Sequence, residues 1–414
     1  MRTRIILTVS VVALLAAACT QNTSRNPAET AVPSETLFVG TGAGPLLVRV
    51  PTGSILFEHP GAVGSLGGSF VVSPSQGEGS THLRAVDATG GFVGSTRVDG
   101  RMDVGVVSES GRDVALVEPP PAGWDPSVPV PRARTTIVIA DPRGVRAPVT
   151  YDLRGNYEPE AFSTDDRSLF LIQHLPAESP TVYRVTVLDL RRGNVYPVFG
   201  PYKTPSERMP GIRLEQVLSP GGDQLYTLYS SARPGYAPHH APVTPDATVS
   251  FVHVLSLQEG WAHCVGLPKM LWDRPASEQA LAPSPNGRLL YVVNAALGVV
   301  SVMDTRSLAI LRTEEIGRTL GGVTSTAAVV SDDGASLYVG AAGQVERIDT
   351  DSLTVADVWD TGDVTGLGLS ADGKRLYVAV GEDVKVLDAG TGVELGTVAV
   401  PSPASIDRLW TPAV

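Results

Sequence analysis

Ser284-Pro-Asn-Gly-Arg-Leu-Leu-Tyr291 joins a serine and a tight turn to an apolar strand, and the phrase returns along the chain. It recurs as Ser163-Thr-Asp-Asp-Arg-Ser-Leu-Phe170, Ser219-Pro-Gly-Gly-Asp-Gln-Leu-Tyr226, Ser331-Asp-Asp-Gly-Ala-Ser-Leu-Tyr338 and Ser370-Ala-Asp-Gly-Lys-Arg-Leu-Tyr377. Degenerate copies stand at Ser73 and Ser108-Glu-Ser-Gly111. The aromatic positions 170, 226, 291, 338 and 377 are 56, 65, 47 and 39 residues apart. A repeating unit of about 40–50 residues is the length of a β-propeller blade.

A second phrase falls inside each unit: an alternating strand that ends in Asp and leads into a short turn. Val299-Val-Ser-Val-Met-Asp304, Val345-Glu-Arg-Ile-Asp349 and Val384-Lys-Val-Leu-Asp388 are clear copies, as are Val185-Thr-Val-Leu-Asp189, Thr136-Ile-Val-Ile-Ala-Asp141 and Leu83-Arg-Ala-Val-Asp87. Period-2 alternation turns one face of each strand toward a neighbouring sheet. The terminal Asp is suited to accept the turn's N–H groups, and Gly193 and Gly392 supply left-handed conformations, so these six Asp read as structural.

Each unit thus reads as four antiparallel strands, A to D, with the Ser-turn between A and B and the Asp-turn between C and D. Strand sets start near Leu37, Ser69, Val114, Leu169, Leu225, Leu289, Leu337 and Leu376. That makes eight blades, with seven the alternative because the second and third units are weak. The first set lacks a strand A. Ser405-Ile-Asp-Arg-Leu-Trp410 is placed to supply it, closing the ring and removing the open edges of a linear array. The expected fold is an all-β propeller of four-stranded antiparallel blades, closed by a C-terminal strand paired to the N-terminal blade.

Tyr291-Val-Val-Asn294 followed by Gly298-Val-Val-Ser-Val-Met-Asp-Thr305 resembles the YVTN-type β-propeller repeat, with Val293 where the family has Thr. The likeness is good over about 280–400 and rests on spacing alone over 35–280. It implies an exported or cell-surface propeller. Relatives on that scaffold include lactonases and quinoprotein-like dehydrogenase subunits, so the resemblance leaves function open. Trp359-Asp360 falls on a strand D and Trp272-Asp273 in a loop, which disfavours WD repeats.

The chain holds 414 residues with 43 Gly, 33 Pro and only 2 Cys, and its 43% hydrophobic content excludes wholesale disorder. A formal charge of −11 argues against nucleic acid or an anionic lipid surface as partner. Arg2 and Arg4 precede the uncharged run Ile5 to Ala18, too short for a bilayer span and suited to a secretory signal. The run ends Leu15-Ala16-Ala17-Ala18-Cys19, which resembles the bacterial lipobox, although Ala16 stands where that motif prefers Leu. Lipidation at Cys19 is the expectation; cleavage after Ala18 at an A-x-A site is the alternative. The domains expected are a signal peptide at 1–18, a lipidated Cys with flexible tether at 19–34, and one propeller over 35–414. Cys264 is then left without a second cysteine for a disulfide and reads as a small buried hydrophobe.

Signatures of chemistry are sparse. Asp388-Ala-Gly-Thr-Gly392 matches a quinone-propeller phrase once, with Gly396 in place of its Trp, and a C-x-x-C-H haem motif is excluded by two Cys. H-E-x-x-H, G-x-S-x-G and P-loop signatures are missing. His239-His240 form an adjacent pair whose rings point apart on an extended segment; His253 and His263 fall on neighbouring strands C and D, with Cys264 facing away from His263. No catalytic residue, metal or cofactor is expected.

The long connections are more telling. Glu118–Arg134, Tyr229–Thr248 and Gln173–Thr181 are B–C loops, and Gly200–Ile212 and Lys269–Ser277 are D–A loops. All five fall on one face, in blades three to five. They carry Trp124, Tyr202, Tyr229, Tyr236, His239, His240 and Trp272, residue types that anchor interfaces. The expected function is a lipid-anchored extracytoplasmic propeller that binds or scaffolds through this face. The alternative is a lactonase-like hydrolase with its site at the central channel mouth. The expected partner is an envelope protein or glycan, met by a monomer that touches membrane only through its lipid; a secreted or periplasmic soluble protein is the alternative address.

Overall fold

A computed structural model describes residues 35–410 apart from 43, 67, 69, 126–127, 202–207, 231–249, 273 and 318. Eight four-stranded antiparallel sheets form a ring, a β-propeller. Seven blades are built from consecutive strands, among them blade four with Asn156–Phe162, Ser168–Leu175, Val182–Asp189 and Val195–Pro197. Blade one is the exception: Glu35–Thr41, Leu46–Val50 and Ser54–Glu58 take Pro403–Trp410 as their strand A. Two turns of 3-10 helix, Lys269–Leu271 and Ala276–Glu278, are the helical elements among the described residues. No described helix is long and apolar enough to cross a membrane.

The repeated serine works twice in each turn. Ser284 Oγ accepts the Leu289 N–H at 2.9 Å and donates to Asn286 Oδ1 at 2.9 Å. Ser331 does the same with Ser336 N–H (2.9 Å) and Asp333 (2.6 Å), and Ser370 with Arg375 N–H (2.9 Å) and Asp372 (2.6 Å). One hydroxyl therefore closes the A–B turn and fixes where strand B begins. The aromatic that ends the phrase is then buried: Phe170, Tyr226, Tyr291, Tyr338 and Tyr377 all belong to the core. The strand-ending Asp residues close the C–D turns as expected. Asp304 Oδ1 accepts from Arg306 and Ser307 N–H (3.0 and 2.6 Å) and Asp388 Oδ1 from Gly390 and Thr391 N–H (3.1 and 2.9 Å).

Eight apolar clusters fill eight seams, one between each pair of neighbouring blades. Leu37 and Val39 of blade one meet Tyr377 and Ala379 of blade eight in the seam that closes the ring. Glu35, 2% exposed, pins that seam: its carboxylate accepts the Tyr377 hydroxyl and the Ala371 N–H (3.0 Å) and faces Arg375 Nη2 at 3.5 Å. Hydrophobic burial thus joins blade to blade, and the edge strand that would remain is consumed by closure.

Candidate functional site

A cavity of about 610 Å³ opens on the face that carries the long loops. Its wall is built from the beginnings of four innermost strands: Val63–Gly64, Asp103–Val107, Asn156–Phe162 and Ile212–Leu218 of blades two to five. The B–C loop of blade three forms one side through Pro120, Trp124 and Arg132. That loop is fastened from below, because Asn156 Nδ2 donates to Val130 O (2.7 Å) and to Ala177 O (3.0 Å) of the next blade's loop. Trp124 is held as well, its Nε1 donating to Val128 O at 2.7 Å.

The polar wall centres on Arg213. Its Nη1 lies 3.1 Å from Glu160 Oε2 and its Nη2 lies 3.5 Å from Glu158 Oε1. His174 Nε2 stands 3.2 Å from Glu158 Oε2, and Gln216 Nε2 donates to Glu160 Oε1 at 2.8 Å. Glu160 occupies a β-bulge of strand A, where the pairing slips between Pro159 and Ala161. Bulges re-aim side chains at the ends of pairing, and here two glutamates two residues apart both reach Arg213. Glu160 is 1% exposed at its side chain. Burial drives its carboxyl above the ordinary range, outweighing Arg213. For Glu158 burial acts in the same direction, but the His174 hydrogen bond and the Arg213 charge prevail and hold it below the ordinary value. Arg213 in turn is raised, chiefly by Glu160. The result is an amphipathic recess with aromatic and proline sides and a carboxylate beside a guanidinium.

The structure distributes the expected loop residues unevenly. Trp124 lines the cavity. Tyr229 also lines it, but from strand Gln224–Ser230 rather than from a loop: it pairs with Arg213 and Phe251, so the strand runs one residue past it. At 4% exposure, with its ring 5.4 Å from Phe251 and 5.0 Å from Tyr183, it belongs to the cavity floor. Trp272 stays outside the cavity lining, its Nε1 donating to Leu267 O at 2.8 Å. Tyr202, Tyr236, His239, His240 and Cys19 lie outside the described residues. His253 pairs across the sheet with Cys264 and His263 with Val254, so the two histidines lie on opposite faces. Burial pushes His253 down to about 4, keeping it neutral.

Glu158, Glu160, His174, Arg213 and Gln216 were missed by sequence reasoning. The available signal was charge in Asn156-Tyr-Glu-Pro-Glu-Ala-Phe162, an innermost strand in which small or apolar residues are expected.

No family model matches the chain, and no curated protein matches it. Among solved structures it is similar to apo AztD from Citrobacter koseri, at 13% identity over 90% of this chain and 97% of that one, with a TM-score of 0.55. It is also similar to the periplasmic gluconolactonase PpgL of Pseudomonas aeruginosa, at 19% identity over 92% and 100%, with a TM-score of 0.46. At 13% identity the likeness to AztD shows the propeller fold and nothing finer.

Proposed function

We propose that this chain is a lipid-anchored extracytoplasmic propeller that works as a binding module, taking its ligand in the cavity at the base of the blade three-to-five loops. The observation that carries this reading is the cavity itself. Its volume of about 610 Å³ falls within the roughly 300–1,000 Å³ of ligand sites, and its lining sets charged and amide side chains beside apolar and aromatic ones. Half-exposed Glu158 and Arg213 offer an acceptor and a donor at the rim, and Trp124, held by its hydrogen bond to Val128 O, offers a large apolar surface. A side chain already held in place loses less entropy on binding. Lipid on Cys19, followed by the polar stretch 20–34, would hold the propeller at the envelope; an envelope protein or glycan is the partner class we favour.

Arg, His and Glu do converge at the channel mouth, the arrangement on which a hydrolase reading depends. Yet Glu160 is buried against Arg213 and Gln216, and the described lining residues include no serine or cysteine. Nor do three His, Cys, Asp or Glu side chains gather to hold a metal among the described residues. Binding is the better use of this geometry.

The test is capture from envelope extracts on immobilised wild type and on the double variant Trp124→Ala, Glu158→Gln, with bound proteins and glycans identified by mass spectrometry. The variant should lose molecules the wild type retains. Identical recovery by both would remove the cavity from the mechanism.

A further inference from the structure

Blades four and five meet across an apolar cluster, yet a row of polar side chains crosses it. In blade five the register aligns Gln216 with Thr227, Thr227 with His253, and His253 with Cys264. The inner end of the row is satisfied, since Gln216 Nε2 donates to Glu160 (2.8 Å) and to Thr227 Oγ1 (3.1 Å). The outer end is different. His253 is 2% exposed, and its ring meets the Tyr229 ring edge-on at 6.2 Å. An imidazole held inside an apolar seam is a donor that a soft metal ion accepts.

The neighbours of His253 supply the rest of a donor set. Direct cross-strand partners share a face with Cβ atoms about 5 Å apart, which places the Cys264 thiol beside the imidazole. Cys264 Sγ lies 3.1 Å from Met209 Sδ. Met209 reaches that point from the connection between the blades, and it is fixed there by two backbone hydrogen bonds with Tyr183, of 2.8 and 2.9 Å. Met209 is 4% exposed, and Tyr183, Phe251 and Tyr229 of the same cluster enclose the group.

We infer that Cys264, Met209 and His253 form a binding site for a soft monovalent metal ion of the Cu(I) class in the seam between blades four and five. Thiolate and thioether sulfur select Cu(I) over harder ions, and imidazole accepts it as well. The two sulfurs are near enough for one ion to touch both. Zinc prefers four Cys, His or carboxylate ligands, and no three such residues gather among the described ones. On binding, the thiol gives up its proton and the thiolate bonds the metal, so one proton is released per ion. The site lies behind the cavity floor, sharing Tyr183 and Tyr229 with it, and does not depend on that proposal.

The test uses the full chain carrying Cys19→Ser, which leaves Cys264 as its single thiol. Cu(I) is titrated anaerobically in competition with a Cu(I)-selective chelator, with thiolate-to-copper absorption and thermal unfolding followed in parallel. The expected result is one Cu(I) per chain, a raised unfolding temperature, and no displacement by excess zinc. Met209→Leu, which keeps volume and apolarity, should weaken binding about tenfold or more while the metal-free chain unfolds as before. Cys264→Ser should abolish the absorption; if that variant does not fold, the Met209→Leu comparison decides. Absence of uptake, displacement by zinc, or affinity unchanged by Met209→Leu would overturn the site.

Discussion

Glu215 ties stability to pH in a way that can be isolated. It sits in the innermost strand of blade five, where Oε2 is buried without a hydrogen-bond partner and the carboxyl accepts the Leu281 N–H of blade six. Burial raises its pKa from 4.5 to about 8. Between those values the folded chain holds a proton that the unfolded chain has released. The stability this group contributes is therefore complete below pH 4.5 and is lost as pH rises through about 8, at about 1.4 kcal/mol per unit. From pH 5 to pH 8 the loss amounts to about 3–4 kcal/mol. Glu215→Gln substitutes a neutral amide of the same shape and removes the dependence. Urea denaturation at a series of pH values should show the variant gaining on wild type as pH rises, by about 3 kcal/mol over that interval. His253 contributes with the opposite sign, since a folded pKa depressed to about 4 costs stability as pH falls below 6.5. Both chains share that contribution, so it cancels in the difference. Stability curves that run parallel would refute the account of Glu215.

Two further outcomes are expected. Glu35→Ala strips the acceptor from the Tyr377 hydroxyl and the Ala371 N–H and leaves Arg375 facing no carboxylate at that point; it should cost about 3 kcal/mol in urea denaturation, because buried partners remain unpaired. A cost within about 0.5 kcal/mol, the range of ordinary surface changes, would show that closure does not depend on this latch. Cys19→Ser should move the protein from the membrane fraction to the soluble fraction, and unchanged partitioning would exclude lipid at that residue.

The propeller was legible because its turns are local. A serine that closes a five-residue turn and an Asp that closes the next one leave fixed residues at fixed spacing, as in Ser284 with Leu289 and Asp304 with Ser307. Even the weak second and third units count as blades, Val63–Gly64 being a strand A of two residues. The closing strand was legible too, since only the blade starting at Leu37 lacked a partner. Where the chain leaves the repeat, reading by type failed. Tyr229 looked like the opening of a loop because the following segment is rich in Pro and Gly, yet pairing to Arg213 and Phe251 carries the strand through it. The carboxylates were invisible for a different reason: Glu158 and Arg213 are 55 residues apart and meet only because neighbouring innermost strands lie side by side.

The two halves of the ring handle that closeness differently. In blades six to eight the innermost strands are Gln279–Pro283, Thr326–Val330 and Val364–Leu369, rich in Ala and Gly. At Gly366 even a methyl group would come within 2.3 Å of the Ile406 backbone nitrogen, so small residues are what let those strands pack. In blades four and five the equivalent strands carry Tyr157, Glu158, Glu160, Arg213 and Gln216, which cannot pack so closely. Side chains too large and too polar to interdigitate hold the strands around a recess and need one another as partners. Among the described loop residues, Pro120, Trp124 and Arg132 of blade three border the same recess. Cavity and ion-pair network therefore share one origin: two neighbouring innermost strands that abandoned the small residues with which blades six to eight close.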